Sequence, residues 1–209
     1  MARGRFISLE GGEGVGKTTQ LRALAAALGA HGLEVFTTRE PGGSPGAEAI
    51  RQLLLSGEDG RWSPRAEALL FAAARADHVE KTIRPALDAG KWVLSDRFLD
   101  SSMAYQGGGA GLGIEAIRRL HMFGSDGFLP DRTLVLLLRD REGIGRADVR
   151  DGGEADRIGR RGSGFHLEVD RAFREIAADE HARVRMVDAS GSESDVTGRL
   201  LAELADLLL

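Results

Sequence analysis

The sequence predicts an α/β protein in which a parallel β-sheet carries helices on both faces. Two observations predict this class. Short apolar runs alternate with longer stretches of helical periodicity along the 209 residues. The first apolar run also leads into a glycine-rich turn that opens directly on a helix, the join expected where a strand hands over to a crossover helix.

Each element follows in order. Arg5 to Glu10 reads as a strand, and Lys17 to His31 as a helix with Leu21, Leu24 and Leu28 on one face. Leu33 to Thr38 is a second strand. Glu40-Pro41-Gly42-Gly43 breaks the pattern as a loop, and Pro45 to Ser56 resumes as a helix. Ser63-Pro64 has the form of an N-cap followed by proline in the first turn, opening a helix that runs towards Pro85 and Ala89. Lys91 to Ser95 is the third strand. A helical stretch runs from Phe98 to the glycines at 107–109, and a further helix from about Ile114 to Phe123. Thr133 to Leu138 and Arg183 to Val187 are the fourth and fifth strands, and Glu193 to Leu209 is the closing helix. Strands buried on both faces need not alternate polar and apolar residues. No internal repeat and no boundary between two cores is visible, so 1–209 reads as a single domain.

Composition narrows the function. Apolar content of 42% and charged content of 29% are those of a folded globular chain. A net charge of −4 argues against bulk binding to a nucleic acid polymer, which needs a basic face. The absence of cysteine excludes disulfides, thiolate metal sites and cysteine nucleophiles. The first apolar run is too short for a signal peptide or a membrane span, which makes a cytoplasmic protein the expectation.

The chemistry begins at Gly11-Gly12-Glu13-Gly14-Val15-Gly16-Lys17-Thr18, followed by Thr19. Glycines at 11 and 16, Lys17 and Thr18 complete a P-loop pattern, with a strand before it and a helix behind it. The glycines allow backbone conformations that turn successive N–H groups inward. The helix N-terminus adds partial positive charge. Lys17 supplies a full charge for the β- and γ-phosphates of ATP, and the Thr18 hydroxyl is placed for Mg²⁺. The expected fold is therefore a three-layer P-loop NTPase fold with a five-stranded parallel sheet.

Other groups gather at the carboxyl ends of the strands, where such sheets bind ligands. Asp96 and Arg97 follow strand three; Asp96 is placed for Mg²⁺ and Arg97 for a phosphate, although a surface ion pair fits the same pattern. Arg39 and Glu40 follow strand two. Two arginines apart from the P-loop point to a second phosphate, and so to a phosphorylated acceptor rather than water. Phe71 and Arg75 lie one helical turn apart on a shared face. They fit a base-stacking platform with a hydrogen-bonding edge, and equally a core phenylalanine beside an arginine that extends to water. Residues 139–164 are rich in Arg, Asp and Gly. They fit a solvated loop or a lid over the phosphates.

Taken together, four blocks resemble thymidylate kinases: Glu10 to Thr19, Thr38-Arg-Glu-Pro-Gly-Gly43, Leu70-Phe-Ala-Ala-Ala-Arg75, and Asp96-Arg-Phe with Ala104-Tyr-Gln-Gly107. They match in order and spacing over the first half of the chain. Pro130-Asp131, Asp156-Arg157-Ile158 and Phe165-His166 extend the resemblance. The resemblance implies a kinase that uses ATP and Mg²⁺ to phosphorylate dTMP, and a homodimer. It implies that the P-loop holds ATP and that Arg97 and Arg39 hold the dTMP phosphate. Phe71 stacks on thymine and Arg75 bonds its edge. Ser102 faces the base, Tyr105 lies against the deoxyribose, and Gln106 lines the same pocket. Glu13 occupies an acidic loop position common in the family.

Val15 leaves the loop without an arginine for the transferring phosphoryl group. The resemblance then implies one from a lid at about 140–163, with Arg157 first and Arg146 and Arg150 behind it. The lid departs from the family pattern, because Gly159 follows Ile158 where a glutamate is usual, and strand four ends in Leu138-Arg139-Asp140. No general base is required, since a phosphate monoester with a second pKa of about 6 is mostly dianionic at neutral pH. One thymine methyl group favours dTMP over dUMP by about 1–3 kcal/mol. Tyr105 crowding the 2′ position would reject ribonucleotides. Two rivals remain: a deoxynucleoside kinase with Glu40 as base, and a P-loop nucleotide sensor or switch without transfer activity.

Overall fold

The computed structural model describes residues 4–58, 60–138 and 157–208. Five strands, β1 (Phe6–Gly11), β2 (Val35–Arg39), β3 (Trp92–Asp96), β4 (Arg132–Leu137) and β5 (Val184–Asp188), form one sheet in the order β2-β3-β1-β4-β5. Every pairing is parallel. The register sets Leu9 beside Asp96 and Arg39 beside Asp96 in turn, so the ends of β1, β2 and β3 open on one edge.

The crossovers are helical. They are α1 (Lys17–Ala30), α2 (Pro45–Leu55), α3 (Pro64–His78), α4 (Arg84–Asp88), α5 (Leu99–Ser102), α6 (Ile114–Ser125), α7 (Ser163–Asp179) and α8 (Glu193–Ala202). Alternation within the buried strands divides the core in two. Phe6, Val93, Val135 and Leu137 face one side, with Phe98, Ile83, Val169, Phe173 and Ile176. Ile7, Leu9, Leu94, Leu134 and Leu136 face the other, against Leu21, Leu24 and Leu28 of α1 and Val196 and Leu200 of α8. The central strands β1, β3 and β4 are buried on both faces, which is why their runs are mainly apolar without alternation, while the edge strands β2 and β5 are partly exposed.

Most elements lie within a residue or two of their expected ends. The helix expected to run from Ser63 towards Ala89 is continuous but changes hydrogen-bonding pattern. A π-helical turn at Val79–Ile83 separates α3 from α4. This turn lies just ahead of Pro85, whose missing N–H interrupts a regular ladder. The stretch after Phe98 likewise passes from α5 into a π-helical segment, Met103–Gly109, that carries Tyr105 and Gln106 inward. Helix α7 was not expected. Its signal is Val169, Ala172, Phe173 and Ile176, an apolar stripe at helical spacing that lies just beyond the Arg/Gly-rich stretch. The closing helix ends at Ala202, earlier than expected, and a 3₁₀ turn, Ala205–Leu207, follows. Of the lid expected at about 140–163, only residues 157–163 lie among the described residues, so Arg146 and Arg150 fall outside them.

Candidate active site

An open cleft of about 350 Å³ lies at the carboxyl edge of the sheet, bounded by the loops after β1, β2 and β3 and by α2, α3 and α5. It joins most of the sequence-predicted groups: Glu13, Gly14, Gly16, Lys17, Thr18, Thr19, Arg39, Glu40, Phe71, Arg75, Asp96, Arg97, Ser102, Tyr105 and Gln106 all line it. Gly11, Gly12 and Val15 form the back of the loop. The carbonyl of Gly11 accepts from Arg97, that of Gly12 accepts from Lys17, and Val15 packs against the core beneath α1.

Glycine is required where the loop turns. Gly11 has φ 132°, and a Cβ there would stand 2.3 Å from the Leu136 carbonyl oxygen. Gly16 caps α1 with φ 94°. Side-chain-bearing residues rarely hold such angles. The Lys17 ammonium donates to Gly12 O at 2.6 Å and is buried. Burial and then the neighbouring Arg97 charge push its pKa down to about 8, against the pull of Glu13, Asp96 and Glu10. The Thr18 hydroxyl donates to Asp96 Oδ2 at 3.1 Å. These two oxygens fit a small, hard divalent cation, which fills its other positions with water and phosphate oxygens. Among the described residues no group of three or more His, Cys, Asp and Glu gathers as a protein-only metal cage.

Arg97 stands between the two ends of the cleft. Its backbone takes φ 70°, in the left-handed region. One terminal nitrogen donates to Gly11 O at 2.9 Å and Ser101 Oγ at 3.0 Å. The other reaches Glu13 at 2.7 Å and the Tyr105 hydroxyl at 3.3 Å. Burial works against its charge, but Tyr105, Glu13 and Asp96 outweigh burial and keep it protonated. Glu13, which burial would raise, is held below the usual carboxylate range by Arg97 and Lys17. Burial raises the Tyr105 phenol, so it remains a neutral hydrogen-bonding group.

At the far end, Arg75 is almost fully buried. Nε donates to Glu40 at 2.8 Å; one terminal nitrogen donates to Ser102 Oγ at 2.6 Å and Phe98 O at 3.2 Å. Nη1 makes no hydrogen bond to the described residues, and Arg75 lines the cleft. Phe71, half-buried, supplies an apolar wall beside it. Glu40 is not a free base. Its second oxygen meets His78 Nδ1 at 3.0 Å, and Arg75, then His78, hold its carboxyl below the usual range although burial alone would raise it. A poor base with both oxygens engaged suits positioning rather than proton abstraction.

Two expected residues sit differently. Arg39 lies at the rim, more than half exposed, with its guanidinium on Glu48 at 3.2 Å. Arg157 does not line the cleft, although its neighbour Ile158 does. Its guanidinium is buried between Glu67 at 2.5 Å and the Leu54 carbonyl at 3.0 Å. Glu67 also accepts from Arg161 at 2.6 Å and from Gln106 at 3.0 Å. Sequence reasoning passed over Glu67, whose partners lie 39 to 94 positions away. It also missed Arg51, which lines the cleft and donates to Pro41 O at 2.6 Å.

Comparison with known proteins agrees with this geometry. A family model described as thymidylate kinase matches residues 9–199. The thymidylate kinase of Rhizorhabdus wittichii is 62% identical over 205 residues, covering 98% of this chain and 99% of the relative. That of Caulobacter vibrioides is 48% identical over 200 residues, covering 96% and 95% respectively. Among solved structures, the crystal structure of thymidylate kinase from Ehrlichia chaffeensis superposes with a TM-score of 0.76 at 30% identity, over 97% of this chain and 99% of that one.

Proposed function

Because the chain belongs to the thymidylate kinase family, we infer that its cleft transfers the γ-phosphoryl group of ATP to dTMP, giving dTDP and ADP. The observation that carries this reading is the position of Arg97. Its guanidinium is bonded to the P-loop carbonyl of Gly11 on one side and to Tyr105 on the other, so a phosphate it holds lies beside the donor loop. The P-loop amides and Lys17 bind the donor phosphates. Thr18 and Asp96 would hold Mg²⁺, which would supply charge neutralisation for the transfer. Arg97, with Arg39 from the rim, holds the acceptor phosphate. Phe71 stacks on thymine, Arg75 Nη1 donates to the base edge, Tyr105 backs the sugar, and Ser102 and Gln106 fix the surrounding walls. The reaction then depends on alignment and charge neutralisation, with no side chain needed to remove a proton.

The deoxynucleoside kinase alternative is not favoured. It needs a carboxylate base, and Glu40 is committed to Arg75 and His78. A coupled assay of ADP release checks the choice. Turnover is expected with dTMP and not with thymidine; turnover of thymidine alone would reverse the assignment.

The arrangement around Glu67 supports a revised role for Arg157. As a phosphoryl-contacting finger it would have to leave a buried carboxylate, which is costly. We read it instead as an anchor at the foot of a lid spanning about 140–163 of a single catalytic domain. Arg157→Ala is then expected to lower the melting temperature by several degrees and kcat by less than about tenfold. A loss of about 10³ or more in kcat with unchanged melting would return the finger role to Arg157.

Helices α3 and α6 pack together and leave Leu69 56%, Met122 60% and Phe123 94% exposed. Such an apolar face supports a homodimer. Sedimentation equilibrium should give twice the mass of the chain, and Phe123→Glu should halve it. No helix among the described residues is long and apolar enough to cross a membrane. A cytoplasmic location fits that and the use of ATP, and cell fractionation checks it.

A further inference from the structure

Glu10, at the head of the phosphate-loop block, is a charged residue that takes no part in the proposed reaction. It is the penultimate residue of β1 and is completely buried. Its side chain does not turn towards the P-loop. It reaches sideways, beneath the turn that follows β3. Oε1 accepts from the Phe98 backbone N–H at 2.8 Å, and Oε2 bonds the Ser101 hydroxyl at 2.5 Å. That hydroxyl in turn accepts from Arg97 at 3.0 Å.

Arg97 needs such support. Its φ of 70° is unfavourable for a residue with a long side chain. The conformation persists because the peptide groups around it are pinned. Arg97 N–H donates to Leu9 O at 2.9 Å, Ser95 Oγ donates to Arg97 O at 2.7 Å, and the next N–H, that of Phe98, is held by Glu10. Glu10 therefore acts on Arg97 twice, through the backbone after it and through Ser101 to the guanidinium itself. The geometry points to Glu10 as a positioning residue that fixes the Arg97 turn and aims its guanidinium at the acceptor phosphate. This rests on the reading of Arg97 as the dTMP phosphate ligand.

The charge environment is consistent with a holding role. Burial and the neighbouring Asp100 carboxylate push the Glu10 carboxyl up to about 8. Asp100 is itself neutralised by Arg183 at 2.7 Å and bonded by Thr133 at 3.0 Å. A protonated Glu10 keeps both links, because Oε1 still accepts from Phe98 while Oε2–H donates to Ser101. Glutamine reproduces that pattern; alanine removes it.

The test uses the full-length enzyme, Glu10→Ala, Glu10→Gln and Ser101→Ala. Equilibrium binding of dTMP and of thymidine is measured for each, with steady-state KM for dTMP and for ATP. Glu10→Ala is expected to weaken dTMP by about tenfold or more, the scale of misplacing one charge-assisted contact. Thymidine, which lacks the phosphate, and ATP should stay close to wild type. Glu10→Gln should restore dTMP binding. Equal weakening of dTMP and thymidine, or unchanged dTMP binding in Glu10→Ala, overturns the proposal. If Glu10→Ala does not fold, Ser101→Ala decides. It keeps the Phe98 bond but cuts the link to the guanidinium, so its dTMP affinity must fall while its thymidine affinity does not. A wild-type enzyme inactive on dTMP would sink the functional reading, and this inference with it. An active wild type with indifferent variants would sink only the role of Glu10.

Discussion

Replacing Lys17 with alanine is expected to lower kcat by about 10²–10³, the scale on which one preorganised charged donor acts on a developing transition state. The change should leave KM for dTMP close to wild type, since the proposed role of Lys17 is at the donor end of the cleft. The structure adds a less obvious expectation. Lys17 is a desolvated cation beside another cation, Arg97, and burial is the larger of the two forces that depress its pKa to about 8. Its folded-state pKa therefore lies below that of an unfolded lysine. Between those two values the unfolded chain binds more protons, so this group contributes stability that increases as pH rises through the window and is least below it. At neutral pH the protein holds Lys17 charged at a cost to folding. Lys17→Ala should consequently melt no lower than wild type while losing most of its activity. The same pKa sets an alkaline limb. In the free wild-type enzyme kcat/KM for ATP should decline as pH rises above about 8, because the ammonium loses its charge there. A variant that loses stability and activity together would make Lys17 a structural residue of the loop.

That conflict between stability and function explains what was legible in the sequence. The P-loop was readable because its chemistry is local. Gly11 and Gly16 take positive φ angles within the loop, and Lys17 bonds a carbonyl five residues away. The sheet was readable because strands buried on both faces carry short, mainly apolar runs, as residues 6–9 and 134–137 do, interrupted by Ser8 alone. Asp96, Arg97 and Arg39 were readable as a set because a parallel sheet brings strand ends to one edge, whereas Phe71 and Arg75 were readable from helical spacing and Tyr105 only from the family resemblance. What escaped reading depends on long-range pairing. Nothing near Glu67 announces that its carboxylate collects Gln106, Arg157 and Arg161. The finger role of Arg157 was an implication of the family resemblance, and its pairing with Glu67 has no local sign in the sequence. Helix α7 escaped for a different reason. The polar, glycine-rich residues before it mask its start, and Gly162 caps it without a side-chain hydrogen bond, so no N-cap signal marks the boundary.

Arg75→Ala tests the opposite case, where binding and stability are joined in one residue. The substitution removes the main counter-charge of Glu40, whose carboxylate is buried and left with His78 alone. It also strips a donor from Ser102 Oγ and from Phe98 O. Breaking a buried pair from one side destabilises by about 3–5 kcal/mol, which for a chain of this length lowers the melting temperature by about 6–20 °C. The pH dependence separates this cause from a simple cavity. In the wild type, Arg75 holds the Glu40 pKa low, so the pair's contribution is present above the unfolded carboxylate pKa and is lost as pH falls through the folded one. In the variant that stabilisation is gone. The difference in melting temperature should therefore be large at neutral pH and shrink as acid protonates Glu40. A cavity would cost the same at both pH values. Adding Glu40→Gln to the variant should recover part of the loss, since the uncompensated charge is removed, and a double-mutant cycle measures the coupling. Arg75→Lys should keep much of the stability, because one charge still faces Glu40. It should not restore KM for dTMP. A lysine ammonium cannot bond Glu40, Ser102 and the base edge from one rigid plane, and the proposed reading of thymine rests on that fixed fork.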